Sequence, residues 1–171
     1  MAEYYESIVF EWLRADRSCF VNTQYMIQIS DGDAPKAGTF WYCDALAVDF
    51  SNKLVLLCEV SYSQHLWALR KRLQQWEQNW DAIKNAISSC SNIPADWKFK
   101  VWVFVPNPKY LDSSKRPIAE KSIAEIKKYE NKLGLRVRWL EEVVPWRYKS
   151  WNRLTGHEEI DPPAASIEPD R

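Results

Sequence analysis

Glycine is scarce, with four in 171 residues. That leaves little room for a glycine-rich phosphate loop or a G-x-G-x-x-G dinucleotide turn, and neither spacing occurs. Histidine is scarcer, with His65 before a helical pattern and His157 near the end, so no Ser-His-Asp triad is expected. Cys19, Cys43, Cys58 and Cys90 are widely spaced and form no C-x-x-C. This speaks against a zinc site or disulfide scaffold and for reduced thiols in a cytoplasm. No apolar run approaches the ~20 residues that span a bilayer. Met1–Phe10 lacks the basic start and apolar stretch of a secretory signal. Neither sign of charge dominates, since 23 basic side chains balance 23 acidic ones. A cytoplasmic protein with no membrane partner is expected.

What the chain does contain is typical of a soluble globular domain, with 46% hydrophobic and 27% charged residues. Its length suits one domain with a substantial core. The overall neutrality conceals an asymmetry. His157–Arg171 (HEEIDPPAASIEPDR) carries five acids and one base, which leaves 22 basic and 18 acidic residues in 1–156. That tail has three prolines and little to bury, so 1–156 reads as the domain and 157–171 as disordered. A mildly basic body permits a polyanionic partner without requiring one. Ten tryptophans exceed the obvious needs of the core and leave an exposed interface patch, and with it a homodimer, as one outcome.

Hydrophobic periodicity gives the element order. Glu3–Ala15 places Tyr5, Ile8, Val9, Trp12 and Leu13 on one helical side. Cys19–Ser30, Phe40–Phe50 and Lys53–Tyr62 read as strands, with a loop at Asp31–Gly38. A long helix is expected over Gln64–Ser88, with Leu66, Leu69, Leu73, Trp76, Trp80, Ile83 and Ile87 in a stripe and Ser61–Gln64 spaced as a capping box. The stripe suits packing on a sheet, and a short coiled-coil seam is the alternative. Phe99–Val105 reads as a strand buried on both faces. A helix from Pro117 to Gly134 and a last strand, Leu135–Leu140, complete the chain. The expected class is α/β, a mixed central sheet flanked by helices.

The second and third strands hold the informative pair. A two-residue turn at Ser51-Asn52 sets Leu46 opposite Leu57, Val48 opposite Val55 and Asp44 opposite Glu59. Facing carboxylates repel unless a cation lies between them or one remains protonated. A divalent ion is the economical solution, because Mg²⁺ is held by one or two carboxylates while waters and substrate phosphates fill its other positions.

These residues resemble the PD-(D/E)XK nuclease superfamily, whose core runs αβββαβ. The matching residues are Asp44 in CDALAVDF and Glu59 in LVLLCEVSYSQ. The resemblance implies hydrolysis of DNA phosphodiester bonds with Mg²⁺ or Mn²⁺ held by Asp44, Glu59 and Val60. It also implies a contribution from an acid on the first helix, Glu6 ahead of Glu11, and from Gln64 after the motif. The motif departs from the family at Ser61, which stands where a lysine is expected and supplies no positive charge. The nearest cations are Arg70, Lys71 and Arg72. Lys71 points away from the sheet, whereas Arg70 and Arg72 flank the stripe.

Pro145–Arg153 interleaves Trp146, Tyr148 and Trp151 with Arg147, Lys149 and Arg153. Aromatics stack on bases and cations neutralise phosphate, so Trp146, Arg147, Tyr148 and Lys149 are candidate nucleic-acid contacts, with Arg70 and Arg72. The alternative is that these aromatics pack onto the body. Two functions remain open: a metal-dependent nuclease, or an inactive module of the same fold that binds nucleic acid or a protein.

Overall fold

The computed structural model describes residues 2–30, 38–94, 96–145 and 148. Along them run α1 (Ala2–Ala15), β1 (Phe20–Gln28), β2 (Phe40–Asp49), β3 (Leu54–Val60), α2 (Trp67–Gln78), α3 (Trp80–Ser91), β4 (Lys98–Val105), α4 (Arg116–Lys127), α5 (Glu130–Leu133) and β5 (Arg136–Trp139). The strands form one mixed sheet in chain order. β1, β2 and β3 are antiparallel neighbours, and β4 and β5 continue parallel to β3. The expected α/β class is present, with αβββαβ order and the added helix and strand. Among the described residues no helix is long and apolar enough to cross a membrane. The segment 31–37, the tail 157–171 and most of 145–153 lie outside the described residues.

Side-chain alternation divides the sheet into two cores. Odd positions of β3 and β4 (Val55, Leu57, Val101, Val103, Val105) meet α2, α3 and α4 through Leu73, Trp76, Ile83, Ile87 and Ile126. Even positions (Leu54, Leu56, Cys58, Trp102, Phe104) meet α1 through Val9, Trp12 and Leu13. Both faces of β3 and β4 are therefore buried, which accounts for their continuous apolar sequence. Tryptophan serves this packing: Trp12, Trp76, Trp80 and Trp102 are buried, whereas Trp67 is 72% exposed. The four cysteines are free thiols.

The expected long helix is two helices. Asn79 takes φ −118°, its N–H is shared between the Gln75 and Trp76 carbonyls at 3.2 and 3.1 Å, and its side-chain amide donates to the same Gln75 carbonyl at 2.9 Å. The expected capping box is also absent. The helix starts later, at Trp67, behind Leu66 in the left-handed region (φ 49°) with no side-chain cap. Ser63 N–H instead donates to the Ser61 hydroxyl at 3.4 Å, which holds 61–66 as an irregular connection. The apolar stripe nevertheless faces the sheet, as one of its two readings expects.

Leu73 is fully buried in that stripe. Leu73→Ala is expected to destabilise the chain by about 2–5 kcal/mol through lost burial and a residual cavity. Urea unfolding measures the loss. Because the stripe is internal, sedimentation should show the same mass for the variant and the parent.

Candidate active site

The β2–β3 hairpin has the expected register. Its ladder runs from Asp49↔Leu54 through Val48↔Val55 and Leu46↔Leu57 to Ala45↔Cys58. The turn is held by Asp49, whose carboxylate accepts from Asn52 N–H at 2.9 Å and from the Asn52 amide at 3.1 Å. With the register fixed at that end, Asp44 and Glu59 are the next facing positions beyond Ala45 and Cys58. There the backbone ladder gives way to a side chain, because Val60 N–H donates to Asp44 Oδ2 at 2.7 Å. Asp44 thus terminates the pairing and draws its carboxylate to the end of β3. On the other side of β3, Ser61 N–H bonds the Phe104 carbonyl at 2.9 Å.

Glu59 follows Leu57 on the odd face, beneath α2, and is 4% exposed. Arg72 of α2 donates to Glu59 Oε2 through its guanidinium. Glu59 Oε1 is buried without a hydrogen-bond partner. Burial raises the Glu59 pKa well above the carboxylate range, and the charge of Asp44 raises it further, while Arg72 and a backbone hydrogen bond from Asp44 pull it back. Asp44 is also raised by burial, and there Val60 N–H and Arg72 act in opposition. Beside the pair, burial and the two carboxylates push the Cys43 thiol upward, which keeps it neutral. The cation that the facing acids require is therefore a guanidinium from the next helix.

β1 contributes an unexpected feature. Gln24 sits opposite Asp44 in the β1–β2 register, between Thr23↔Ala45 and Tyr25↔Cys43, with φ 52°. Positive φ is uncommon for a residue other than glycine. It turns the ribbon over: Val21, Ala45 and Ala47 pack towards α1, whereas Tyr25, Ile27, Trp41 and Cys43 pack towards the opposite helices. The Gln24 amide donates to Glu6 Oε2 at 3.4 Å. Glu6 thus approaches the site through Gln24. Among the described residues, no group of three His, Cys, Asp or Glu side chains could hold a metal ion. Glu11, also on α1, lies near Tyr148.

The other expected site residues are dispersed. Ser61 lies past the end of β3, with its hydroxyl engaged by Ser63. Gln64 lines a separate cavity of about 240 Å³ between residues 62–66, the end of β4 and α4. Arg70 pairs with Glu125 of α4. Arg72, expected to contact nucleic acid, is turned inward onto Glu59. Tyr148 packs against the core beneath α1, as the alternative for that segment expects. Trp146, Arg147 and Lys149 lie outside the described residues. Sequence reasoning passed over Gln24, for which pattern gives no signal, and undervalued Arg72, which is displaced from the motif by one helix.

Comparison with protein-family models, curated proteins and solved structures finds no match for this chain.

Glu59 supplies a pH test. A folded-state pKa above the unfolded value means that the carboxyl contributes most to stability when protonated. That contribution is lost as pH rises through the folded value. Glu59→Gln retains an amide oxygen for Arg72 and cannot ionise. The substitution is expected to change the melting temperature little near pH 4 and to raise it by several degrees near pH 8, each kcal/mol gained corresponding to about 2–4 °C. Thermal melts of the two proteins across pH measure the difference, and a Glu59→Gln protein that melts lower at pH 8 would contradict the assignment.

Proposed function

We propose that the chain hydrolyses DNA phosphodiester bonds with a divalent ion, Mg²⁺ or Mn²⁺, at Asp44 and Glu59. The observation that carries this reading is the buried carboxylate pair, in which Glu59 Oε1 has no hydrogen bond of regular geometry. Hard carboxylate oxygens suit these ions, and an unpartnered buried oxygen is a donor available to one. Asp44 and Glu59 would hold the ion, with the Val60 carbonyl completing the set. Once bound, the ion would supply Lewis acidity towards a phosphoryl oxygen and lower the pKa of an attacking water.

The remaining contributions come from the chain. Val60 N–H orients the Asp44 carboxylate. Arg72, a third exposed at its side chain, offers fixed positive charge at the mouth of the pair. It replaces in kind what Ser61 lacks, because a guanidinium stabilises charge developing on a transferring phosphoryl group. The αβββαβ order and the facing of Asp44 and Glu59 support a likeness to PD-(D/E)XK nucleases. The second reading, an inactive binding module, is favoured by the ion pair that Arg72 makes with Glu59.

Incubation of the protein with linear, circular and single-stranded DNA in Mg²⁺ or Mn²⁺ separates the two. Hydrolysis predicts cleavage that Asp44→Asn and Glu59→Gln abolish. Arg72→Ala should reduce it by about 10²–10³-fold, the scale of losing one charge-stabilising donor. Ser61→Lys should increase it. Binding of DNA without cleavage, together with no heat of Mn²⁺ binding by calorimetry, would replace the enzyme with the module.

A further inference from the structure

We infer that the cavity between residues 62–66, the end of β4 and α4 receives one unpaired nucleobase of a single strand. The inference deepens the hydrolytic proposal, on which it rests for nucleic acid as the ligand, by naming the strandedness of the substrate. The cavity opens past the carboxyl ends of the parallel strands β3 and β4, the edge at which open α/β sheets receive ligands. Val105, Pro106, Leu111, Ala119 and Ile123 give it apolar walls. Gln64 also lines it, and Gln64 Oε1 is buried without a hydrogen-bond partner. Leaving such an acceptor unsatisfied is costly, and the terminal torsion of a glutamine is soft. A donor edge placed in the cavity therefore draws the amide round. A glutamine amide matches the adjacent donor and acceptor of an adenine edge, which makes adenine the expected base.

Size and charge narrow the occupant. A volume of about 240 Å³ lies below the ~300–1,000 Å³ of pockets that enclose drug-sized ligands, so it takes one ring system and leaves sugar and phosphate outside. Lys115 reaches the mouth, but it pairs with Asp112 at 3.4 Å and so selects no anion. Recognition is left to apolar contact, the amide and the aromatic rim. Tyr62 lines the cavity and stacks on Tyr5, with ring centroids 4.6 Å apart and planes 12° from parallel. The ring is thereby held while the residue stays 52% exposed. At the other end of the segment the exposed Trp67 meets His65 edge-on at 6.2 Å. Exposed rings held in place are stacking surfaces for the free faces of single-stranded bases, whereas a duplex keeps those faces covered.

The position relates the cavity to the carboxylates. Glu59 faces Val103 in the β3–β4 register, and Val105 lies two residues farther on the same face. At 3.3 Å per residue the cavity wall is roughly 7 Å beyond Glu59 along the strand. A base seated there brings its adjoining phosphodiester towards Asp44 and Glu59. Gln64 then acts on the base rather than on the reacting bond.

Fluorescence anisotropy of the full chain with labelled oligo(dA) in EDTA tests the inference. The single strand should bind about tenfold or more tighter than its duplex with oligo(dT), and than an abasic strand of equal length, which keeps the phosphates and lacks the bases. Ala119→Leu fills the cavity with an apolar side chain, Gln64→Leu removes the amide, and Tyr62→Ala removes the exposed ring. Each should weaken oligo(dA) by about tenfold and leave the abasic strand unchanged, with thermal melts showing which variants are folded. Parental affinity in folded Ala119→Leu and Tyr62→Ala would overturn the inference, as would equal binding of the single strand, the duplex and the abasic strand. Free adenosine that competes as well as the strand would mark a nucleoside site and overturn the strand as occupant. Binding is read in EDTA and cleavage in Mn²⁺, so the two proposals fail separately. Base-dependent binding without cleavage discards hydrolysis alone, and cleavage with base-independent binding discards the cavity alone.

Discussion

The organisation of this chain turns on a carboxylate placed where water cannot reach it. Glu59 is buried at the end of a central strand, opposite Asp44, and it pairs with Arg72. A buried ion is tolerated when it is paired, and the pairing fixes how the partner's element must lie. Here that element is α2, entered through the irregular segment 61–66 and the left-handed Leu66. The helix cannot shift along the sheet without exposing Leu69, Leu73 and Trp76 or leaving Glu59 uncompensated. One ion pair and one apolar stripe therefore specify the same docking.

Two of the five described non-glycine residues with positive φ flank the same point. Gln24 and Leu66 both adopt positive φ, one opposite Asp44 and the other at the entry to the helix that carries Arg72. Such conformations are unfavourable for side chains with a Cβ and persist when the surroundings over-determine them. At Gln24 the consequence is mechanical. The ribbon turns over, so Asp44 no longer follows the alternation of its strand and its carboxylate can bond Val60 N–H. A regular β1 would retain Asp44 in an ordinary ladder and leave the end of β3 to backbone pairing. The deviation thus creates the site.

How much of this was legible in the sequence depends on the range of the interaction. The sheet, its mixed order and the facing of Asp44 and Glu59 follow from patterns of two or four residues and from a tight turn, which are local properties. Leu73 and Trp76 announced a buried helical face, and Gly134 a helix end, which it provides with φ 58°. The break at Asn79 did not announce itself, because a mid-helix asparagine can either point to solvent or bond backward, and packing decides. Gln24 was illegible because Val21, Tyr25 and Ile27, the residues of β1 that pack on the cores, keep odd numbers on both sides of it, as though the strand were flat. Arg72 was visible only as a cation flanking a stripe, since its reach to Glu59 depends on where α2 begins.

The serine at the motif's lysine position acquires a different meaning in this setting. A lysine on the strand would be a third ionisable group inside the same buried volume, competing with Arg72 for Glu59. An arginine from the helix supplies charge without a second desolvated ammonium, and its planar fork can hold a carboxylate or a phosphate with the same donors. Under the hydrolytic reading, the donors that neutralise Glu59 are those that would meet substrate phosphate. A divalent ion and Arg72 then balance the same two acids, and their combined charge exceeds what the acids require. That surplus is compensated when an anionic phosphodiester enters, which couples occupancy by the ion to occupancy by the substrate. Under the module reading, Arg72 satisfies Glu59 permanently and no surplus arises. The two functions therefore differ in the charge state of one guanidinium–carboxylate contact rather than in the fold around it.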